Sequence, residues 1–392
     1  MRAVVTGGFG FIGSNLVDRL IADGHEVLVI DNLSTGKAEY TNAKALLPFD
    51  PSKNRLVDVR DKASLLVAFM DFKPDVVFHL AALARIQPSI ENPVEAHDVN
   101  LTGTLHVLEA ARRCGAKRVV FSSSSSIYGG TIREGEGIDE DDIKRPESPY
   151  ALQKLAGEDY CGLYAQLYGL ETVCLRYFNV YGERQILSGA YAALIGIFLD
   201  QKAKGTPFTI VRPGTQRRDF TYVGDVVDAN IRAATYEMAD GEPKHDAFNI
   251  GTGKNWSVVE ISDMVDRDHP KRFLEERKGE CSETLADASH AEDILGWKPT
   301  TEIPDWIKKT LEITGAKTTG MENGAGAENK GVDTGAEEQA KVEETEEEKA
   351  KREADEAAAA EAAKAGGEGG EAGAAADQAA KGEGAGGEEK AA

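Results

Sequence analysis

Cysteine, positive charge and long apolar runs are all scarce in this chain. Four cysteines, Cys114, Cys161, Cys174 and Cys281, occur in 392 residues. They lie far apart with no C-x-x-C spacing, which argues against a disulfide framework or a thiolate metal site. Buried thiols in a reducing cytoplasm are the expectation. No apolar run approaches ~18 residues, so no membrane span is expected. The first strand starts at Arg2 or Ala3, so no signal peptide is expected either. The net charge is −22. Such a balance argues against nucleic acid as a partner, because binding phosphates requires clustered cations. Half of that charge lies in Ala316 to Ala392, where nine Lys+Arg face twenty Asp+Glu. From about Gly315 the chain is Gly, Ala, Glu and Lys with almost no large apolar residue. Such a stretch cannot offset its ordering entropy. A disordered acidic tail is expected over 315–392, with a solitary helix over Glu337 to Ala365 as the other outcome.

The informative residues begin at the N-terminus. Arg2 to Thr6 reads as a short buried strand. Gly7, Gly10 and Gly13 follow within seven residues, and Ser14 to Asp23 then has helical spacing, with Leu16, Val17, Leu20 and Ile21 on one face. Val27 to Ile30 is a second buried strand, ending at Asp31. Strand, glycine turn, helix, strand and terminal acid together describe a dinucleotide site. Gly7 permits the tight turn, Gly10 lets backbone amides approach a pyrophosphate at a helix N-terminus, and Gly13 permits close helix–sheet packing. Asp31 can accept ribose hydroxyls and would repel a 2′-phosphate, so NAD is favoured over NADP.

Strands and helices then alternate. Strands are predicted at Arg55–Val57, Pro74–Leu80, Lys117–Phe121 and Val173–Arg176. Helices are predicted around Tyr40 to Leu47, from Lys62 with Asp61 as cap, from Pro93 to Gly115, and through Tyr168. This rhythm predicts an α/β fold built on a doubly wound parallel sheet. Ser122 to Ser126 sits between strand five and Ile127-Tyr128-Gly129. A serine run alone reads as a linker. At the carboxyl end of a strand, where such sheets carry their chemistry, it reads as a catalytic loop. Tyr150 and Lys154 are four residues apart on one helix, placing both side chains on one face.

Later elements are looser. A helix is predicted from Gly189-Ala190-Tyr191 to about Ala203, and strands at Pro207–Val211, Arg217–Val223 and Ala247–Gly251. A helix runs from Asp225 to about Met238. Another starts at Ser257, with Glu260 completing a capping box. The final helix is expected to end near Gly296-Trp297. The boundaries drawn are 1–176 for a cofactor domain, 177–314 for a smaller mixed α/β substrate domain at the sheet's carboxyl edge, with some segments returning to the sheet, and 315–392 for the tail.

Thr6-Gly7-Gly8-x-Gly10-x-x-Gly13 resembles the TGxxGxxG fingerprint of the extended short-chain dehydrogenases/reductases, a Rossmann-fold superfamily. Asp31 to Gly36 resembles a run found in its nucleotide-sugar epimerases. Phe121 to Gly129, Arg176-Tyr177-Phe178-Asn179, Gly189 to Ala193, Arg218-Asp219-Phe220 and Arg277-Lys278-Gly279-Glu280 resemble UDP-glucose 4-epimerases and their close kin. The resemblance covers about residues 1 to 307. It implies NAD as cofactor, a UDP-sugar as substrate, a Ser124–Tyr150–Lys154 triad and a homodimer. The cofactor residues it implies are Gly7, Gly10, Phe11, Ile12, Gly13, Asp31, Asn32, Ser34, Thr35 and Gly36. Further along they are Asp58, Val59, Leu80, Ala81, Ala82, Asn100, Tyr150, Lys154 and Tyr177. Asn179, Arg218, Arg277 and Glu280 would hold the nucleotide-sugar beside Ser124 and Tyr150, although surface arginines are more often simply solvated. Thr284 would face the sugar's 2-substituent, where a small residue leaves room for an N-acetyl group.

The chemistry implied is proton exchange between Tyr150 and a sugar hydroxyl. Lys154 and the positive nicotinamide ring would lower the phenol's pKa from about 10, and Ser124 would orient the same oxygen. Relatives that eliminate water carry acids after the active-site hydroxyl residue. Here Ser125 and Ser126 stand in those positions, which favours 4-epimerisation through a transient 4-keto sugar. The alternatives are a UDP-glucuronate 4-epimerase, another nucleotide-sugar modifying enzyme, or, in a different class, a non-catalytic NAD-sensing protein.

Overall fold

Every strand of the main sheet is parallel, and every one ends at the same edge. The computed structural model describes residues 1–37, 53–130, 135–187, 192–238, 244–277 and 281–314. The expected helix around Tyr40 to Leu47, the start of the helix at Gly189 to Tyr191, Lys278 to Glu280 and the tail 315–392 lie outside those residues. The first half runs β1 (Arg2–Thr6), α1 (Phe11–Ala22), β2 (Glu26–Asp31), β3 (Asn54–Leu56), α2 (Lys62–Phe72) and β4 (Val76–His79). It continues with α3 (Ile86–Glu91), α4 (Pro93–His97), α5 (Gly103–Cys114), β5 (Arg118–Ser124), α6 (Pro149–Tyr168) and β6 (Glu171–Tyr177).

The second half runs β7 (Val180–Tyr181), α7 (Leu194–Lys204), β8 (Phe208–Val211), β9 (Arg217–Asp219), β10 (Thr221–Tyr222) and α8 (Val223–Thr235). It ends with β11 (His245–Ile250), β12 (Asn255–Ser257), α9 (Val258–Asp266), β13 (Lys271–Leu274), α10 (Ser289–Leu295) and α11 (Ile303–Thr314).

The seven-stranded sheet has the order β11-β6-β5-β4-β1-β2-β3. The order reverses direction at β1, and cofactor crevices form at such reversals. The runs Ala3–Val5, Val27–Ile30 and Val119–Phe121 are buried on both faces, as strands covered by helices on both sides must be. One apolar core packs α1, α8 and Trp297 against the sheet, and another packs α2, α5 and α6 against the opposite face. A separate core of Phe198, Phe208, Ile261, Trp306 and Ile307 joins α7, β8, α9 and α11. β11 pairs with β6, so the sequence's second half does return a strand to the sheet.

Several expectations change in detail. The helix over Pro93 to Gly115 is interrupted by a π-helical turn at Asp98–Thr102, between α4 and α5. Strand five runs on through Ser122 and Ser123 to Ser124, and Ser125–Tyr128 form a 3₁₀ turn. Three serines therefore belong to the strand, because β6 pairs with them up to Tyr177. The expected strand Arg217–Val223 is two short strands broken at Phe220, with β9 pairing β12 and β10 pairing β7. α11 follows the helix expected to be last. Its Ile303, Trp306, Ile307 and Leu311 recur at helical spacing and are buried. The capping box at Ser257 and Glu260 and the Asp61 cap are both present.

Candidate active site

The carboxyl ends of β1, β2, β4, β5 and β6 open into a cleft of about 560 Å³, closed on the far side by β8, β9 and the stretch after β13. Its first half is built by the glycine turn. Gly7 has φ +70, a region that side-chain-bearing residues rarely occupy. A Cβ on Gly13 would lie 2.1 Å from the Gly7 carbonyl oxygen, so no side chain fits there. α1 begins after Gly10 without a side-chain cap. Its first residues, Phe11, Ile12 and Gly13, form the cleft wall, where a helix N-terminus favours an anion. Asp31 is nearly fully buried at the end of β2 and lines the same wall. Its carboxylate accepts from the amides of Phe9 (3.0 Å) and Leu33 (2.7 Å). Burial pushes its pKa up, opposed by those backbone bonds.

Asn32, Ser34, Thr35, Val59, Leu80, Ala81, Ala82 and Tyr177 also line the cleft. Gly36, Asp58 and Asn100 are not among its lining residues. A Cβ on Gly36 would sit 2.8 Å from the Phe9 carbonyl, so this glycine closes the loop over the turn. Asp58 bonds Arg60 and Asn32, which takes its pKa down to about 2. Asn100, in the π turn, accepts from the Leu83 amide (2.8 Å) and donates to its carbonyl (3.1 Å). It fixes the 80–86 loop that walls the cleft.

The second half carries the Ser124, Tyr150 and Lys154 side chains. Ser124 ends β5 and Tyr150 and Lys154 stand on α6, so the triad is assembled by packing α6 beside β5. Ser148 caps α6, accepting from the Ala151 amide at 3.2 Å. The Tyr150 amide donates to Ser89 Oγ at 3.1 Å, which ties α6 to α3. The Ser124 hydroxyl is within hydrogen-bonding reach of the phenol. Lys154 Nζ donates to the Ser122 carbonyl at 2.8 Å and lies 5.9 Å from the centre of the Tyr150 ring.

The protein's own groups leave the phenol above its ordinary value. Burial pushes Tyr150 up, with the Ser124 hydrogen bond and the Arg85 charge pulling the other way. Burial also pushes Lys154 down to about 8. Burial outweighs the Ser124 hydrogen bond and the Arg85 charge, and Lys154 is not among the groups that pull the phenol down.

Asn179, Arg218, Arg277 and Thr284 line the other end of the cleft. Glu280 lies outside the described residues. Sequence reasoning missed Arg85, Glu147, Gln185 and Gln216, all of which line the cleft. The oxygens Ser126 Oγ, Gln185 Oε1 and Gln216 Oε1 are buried and have no hydrogen-bond partner. Arg85 and Glu147 carry no local signal, since isolated charged residues in loops look like solvated surface. Among the described residues no cluster of His, Cys, Asp or Glu could hold a metal ion, and no helix is long and apolar enough to cross a membrane.

A glycine turn, an acid-terminated second strand and a Ser/Tyr/Lys constellation in one cleft define a nicotinamide-dependent enzyme acting on a hydroxyl-bearing substrate. Residues 3–251 match the model of the NAD dependent epimerase/dehydratase family. A UDP-glucose 4-epimerase of Mycolicibacterium smegmatis is 39% identical over 319 residues, covering 80% of this chain and 98% of the relative. A Thermotoga maritima UDP-glucose 4-epimerase solved with UDP-glucose is 34% identical with a TM-score of 0.74, covering 80% of this chain and 99% of that one. A UDP-N-acetylglucosamine 4-epimerase from Methanobrevibacter ruminantium, solved with UDP-N-acetylmuramic acid, is similar at 34% identity and TM-score 0.72, with 80% and 98% covered. The chain belongs to the NAD dependent epimerase/dehydratase family, and its cofactor is NAD.

Proposed function

We propose that this enzyme interconverts the C4 epimers of a UDP-hexose, either UDP-glucose/UDP-galactose or their N-acetyl forms. The observation that carries the reading is the Ser124–Tyr150–Lys154 constellation beside the cofactor half of the cleft, with serines at 125 and 126. The glycine turn, the α1 N-terminus and Asp31 would hold NAD. When bound, NAD accepts a hydride from the sugar and can return it to the other face. Tyr150 takes the proton of the C4 hydroxyl as the 4-keto sugar forms and gives it back on reduction. Ser124 holds the same oxygen. Lys154 would bond the nicotinamide ribose and carries the positive charge nearest the phenol on α6. Arg218 and Arg277 suit a diphosphate clamp, since guanidinium forks match phosphate oxygens. Elimination would need an acid beside the triad. Glu147 lines the cleft against Gly129, and neither Ser125 nor Ser126 supplies that acid.

Thr284 supports the N-acetyl reading, because a short side chain occupies that wall, with its hydroxyl 3.3 Å from the Asp219 amide. A relative and a solved structure named for glucose and N-acetylglucosamine substrates leave both sugars in play. Arg85 favours a second reading, a uronic acid sugar, because it places a cation near Tyr150. Purified protein is assayed without added NAD on UDP-glucose, UDP-galactose, their N-acetyl forms and UDP-glucuronate. We expect turnover of the neutral hexoses, and Thr284→Tyr should remove the N-acetyl activity alone. Turnover of UDP-glucuronate only would favour the second reading, and a dehydrated product would sink epimerisation.

The cofactor domain at 1–176 and the substrate domain at 177–314 remain our division, with β11 returning to the cofactor sheet. We also assign a homodimer. Leu152, Leu163 and Leu167 on α6 are 57%, 46% and 63% exposed, an apolar stripe that a second α6 would cover. A monomer in sedimentation at micromolar concentration would refute it. We place the enzyme in the cytoplasm, where buried thiols such as Cys161 and Cys174 stay reduced.

A further inference from the structure

We infer that Asp219 is the positioning residue for the substrate side of the cleft: its carboxylate gathers the 251–254 loop and the stretch at Ala286 around β9, and so sets Arg218, Asn179 and Thr284 in register on the cleft wall. This rests on the reading of that wall as a UDP-sugar site.

Asp219 is fully buried, next to Arg218 in β9. Its Oδ1 accepts from the Thr252 amide at 2.9 Å and from the Thr252 hydroxyl at 2.7 Å. Its Oδ2 accepts from the amides of Gly253 (2.9 Å) and Ala286 (3.1 Å). Thus one carboxylate joins β9 to the loop after β11 and to the stretch that carries Thr284. The Asp219 main chain repeats the connection. Its amide donates to the Thr284 carbonyl at 3.0 Å. Its carbonyl accepts from Asn179 Nδ2 at 2.7 Å. Asn179 has φ +23, a strained conformation for this residue that the bond helps to hold. The Arg218 guanidinium is steadied on the same frame, donating to the Arg217 carbonyl at 2.9 Å.

The surroundings are built for a carboxylate. Its charge is met by amide and hydroxyl donors, which suit an acceptor-only group. An amide nitrogen in place of one oxygen would face N–H groups. A Cβ on Gly251 would come within 3.0 Å of Asp219 Oδ2 and 2.3 Å of Ala286 Cβ, so only glycine lets the two segments close on the acid. Asp219 lines no part of the cleft itself, while Arg218, Asn179 and Thr284 do. It acts through them.

The test uses full-length Asp219→Asn, Thr252→Val, Thr252→Ser and Arg218→Ala. UDP affinity is measured by calorimetry, with bound NAD, kcat and KM determined on the same preparations. Asp219→Asn should weaken UDP and raise KM by about 10-fold or more, the scale of losing a charge-assisted hydrogen bond, with kcat and NAD content near wild type. Thr252→Val should show the same split to a smaller degree, and Thr252→Ser, which keeps the hydroxyl, should restore it. If Asp219→Asn does not fold, the Thr252 pair decides. Wild-type UDP affinity in the variants, or a fall in kcat with unchanged KM, overturns the role. If Arg218→Ala loses affinity while Asp219→Asn and Thr252→Val keep it, this inference alone falls. If Arg218→Ala binds UDP as wild type does, the clamp reading falls and takes the inference with it.

Discussion

Tyr150→Phe should lower kcat by about 10²–10⁴-fold, the usual contribution of a positioned acid–base group, while the protein retains NAD. The phenol sits within reach of Ser124, and the ring packs beside Lys154 with no main-chain role. Removing the oxygen therefore leaves α6 and the cofactor half intact. Turnover and cofactor content are measured together. Unchanged turnover would dismiss epimerisation by this site and leave the NAD-sensing reading. The pH dependence gives a second readout. Lys154 has a folded-state pKa of about 8, below its ordinary value of 10.5, because burial disfavours the ammonium. Its charge is present below about pH 8 and lost above it, so a rate that depends on that charge falls on the alkaline side. Lys154→Arg, which does not titrate there, should lose that limb. For stability the sign is opposite. The unfolded chain binds the extra proton between about pH 8 and 10.5, so burial of Lys154 costs most below 8 and the cost fades through that window.

Glu158→Ala should destabilise the fold by about 3–5 kcal/mol, the cost of leaving a buried charge without its partner. The melting temperature should fall on the order of 10 °C. Glu158 and Arg176 are each 5% exposed and are joined by three bonds, Nε–Oε1 at 3.0 Å, Nε–Oε2 at 3.2 Å and Nη2–Oε2 at 2.7 Å. Arg176 also donates to the Tyr128 hydroxyl at 2.7 Å and the Glu140 carbonyl at 3.0 Å. Tyr128 in turn donates to Asn249 at 2.8 Å. One turn along α6 from Lys154, this network fastens the triad's helix to β6, β11 and the end of the serine segment. Replacing both charges by methionine should cost less than the sum of the single changes, because the stranded charge is gone. Thermal melts of the three variants check this. Additive losses would show that the two side chains act independently.

The cofactor half was legible in the sequence because its requirements are local. Gly7, Gly10, Gly13 and Asp31 lie within 25 residues, and each is required by a backbone geometry or a charge that neighbouring residues create. Tyr150 and Lys154 were legible for the same reason, since helical spacing alone places them together. The π turn at Asp98–Thr102 was not, because an extra residue in a helix leaves the apolar pattern nearly unchanged. α11 was not either, because its apolar positions Ile303, Trp306, Ile307 and Leu311 span about three turns directly before the Gly/Ala/Glu/Lys-rich stretch that begins near Gly315.

Residue types and spacing determined by themselves the parallel sheet, the preference for NAD and the placing of Tyr150 and Lys154 on one helical face. Tertiary structure alone decided the rest. It brought Ser124 to Tyr150 across 26 residues, gathered Arg218 and Thr284 around Asp219, and set the ionisation of Tyr150 and Lys154. Burial is a property of everything packed around a group, including segments far away in the chain. No local pattern can report the desolvation of a phenol and an ammonium.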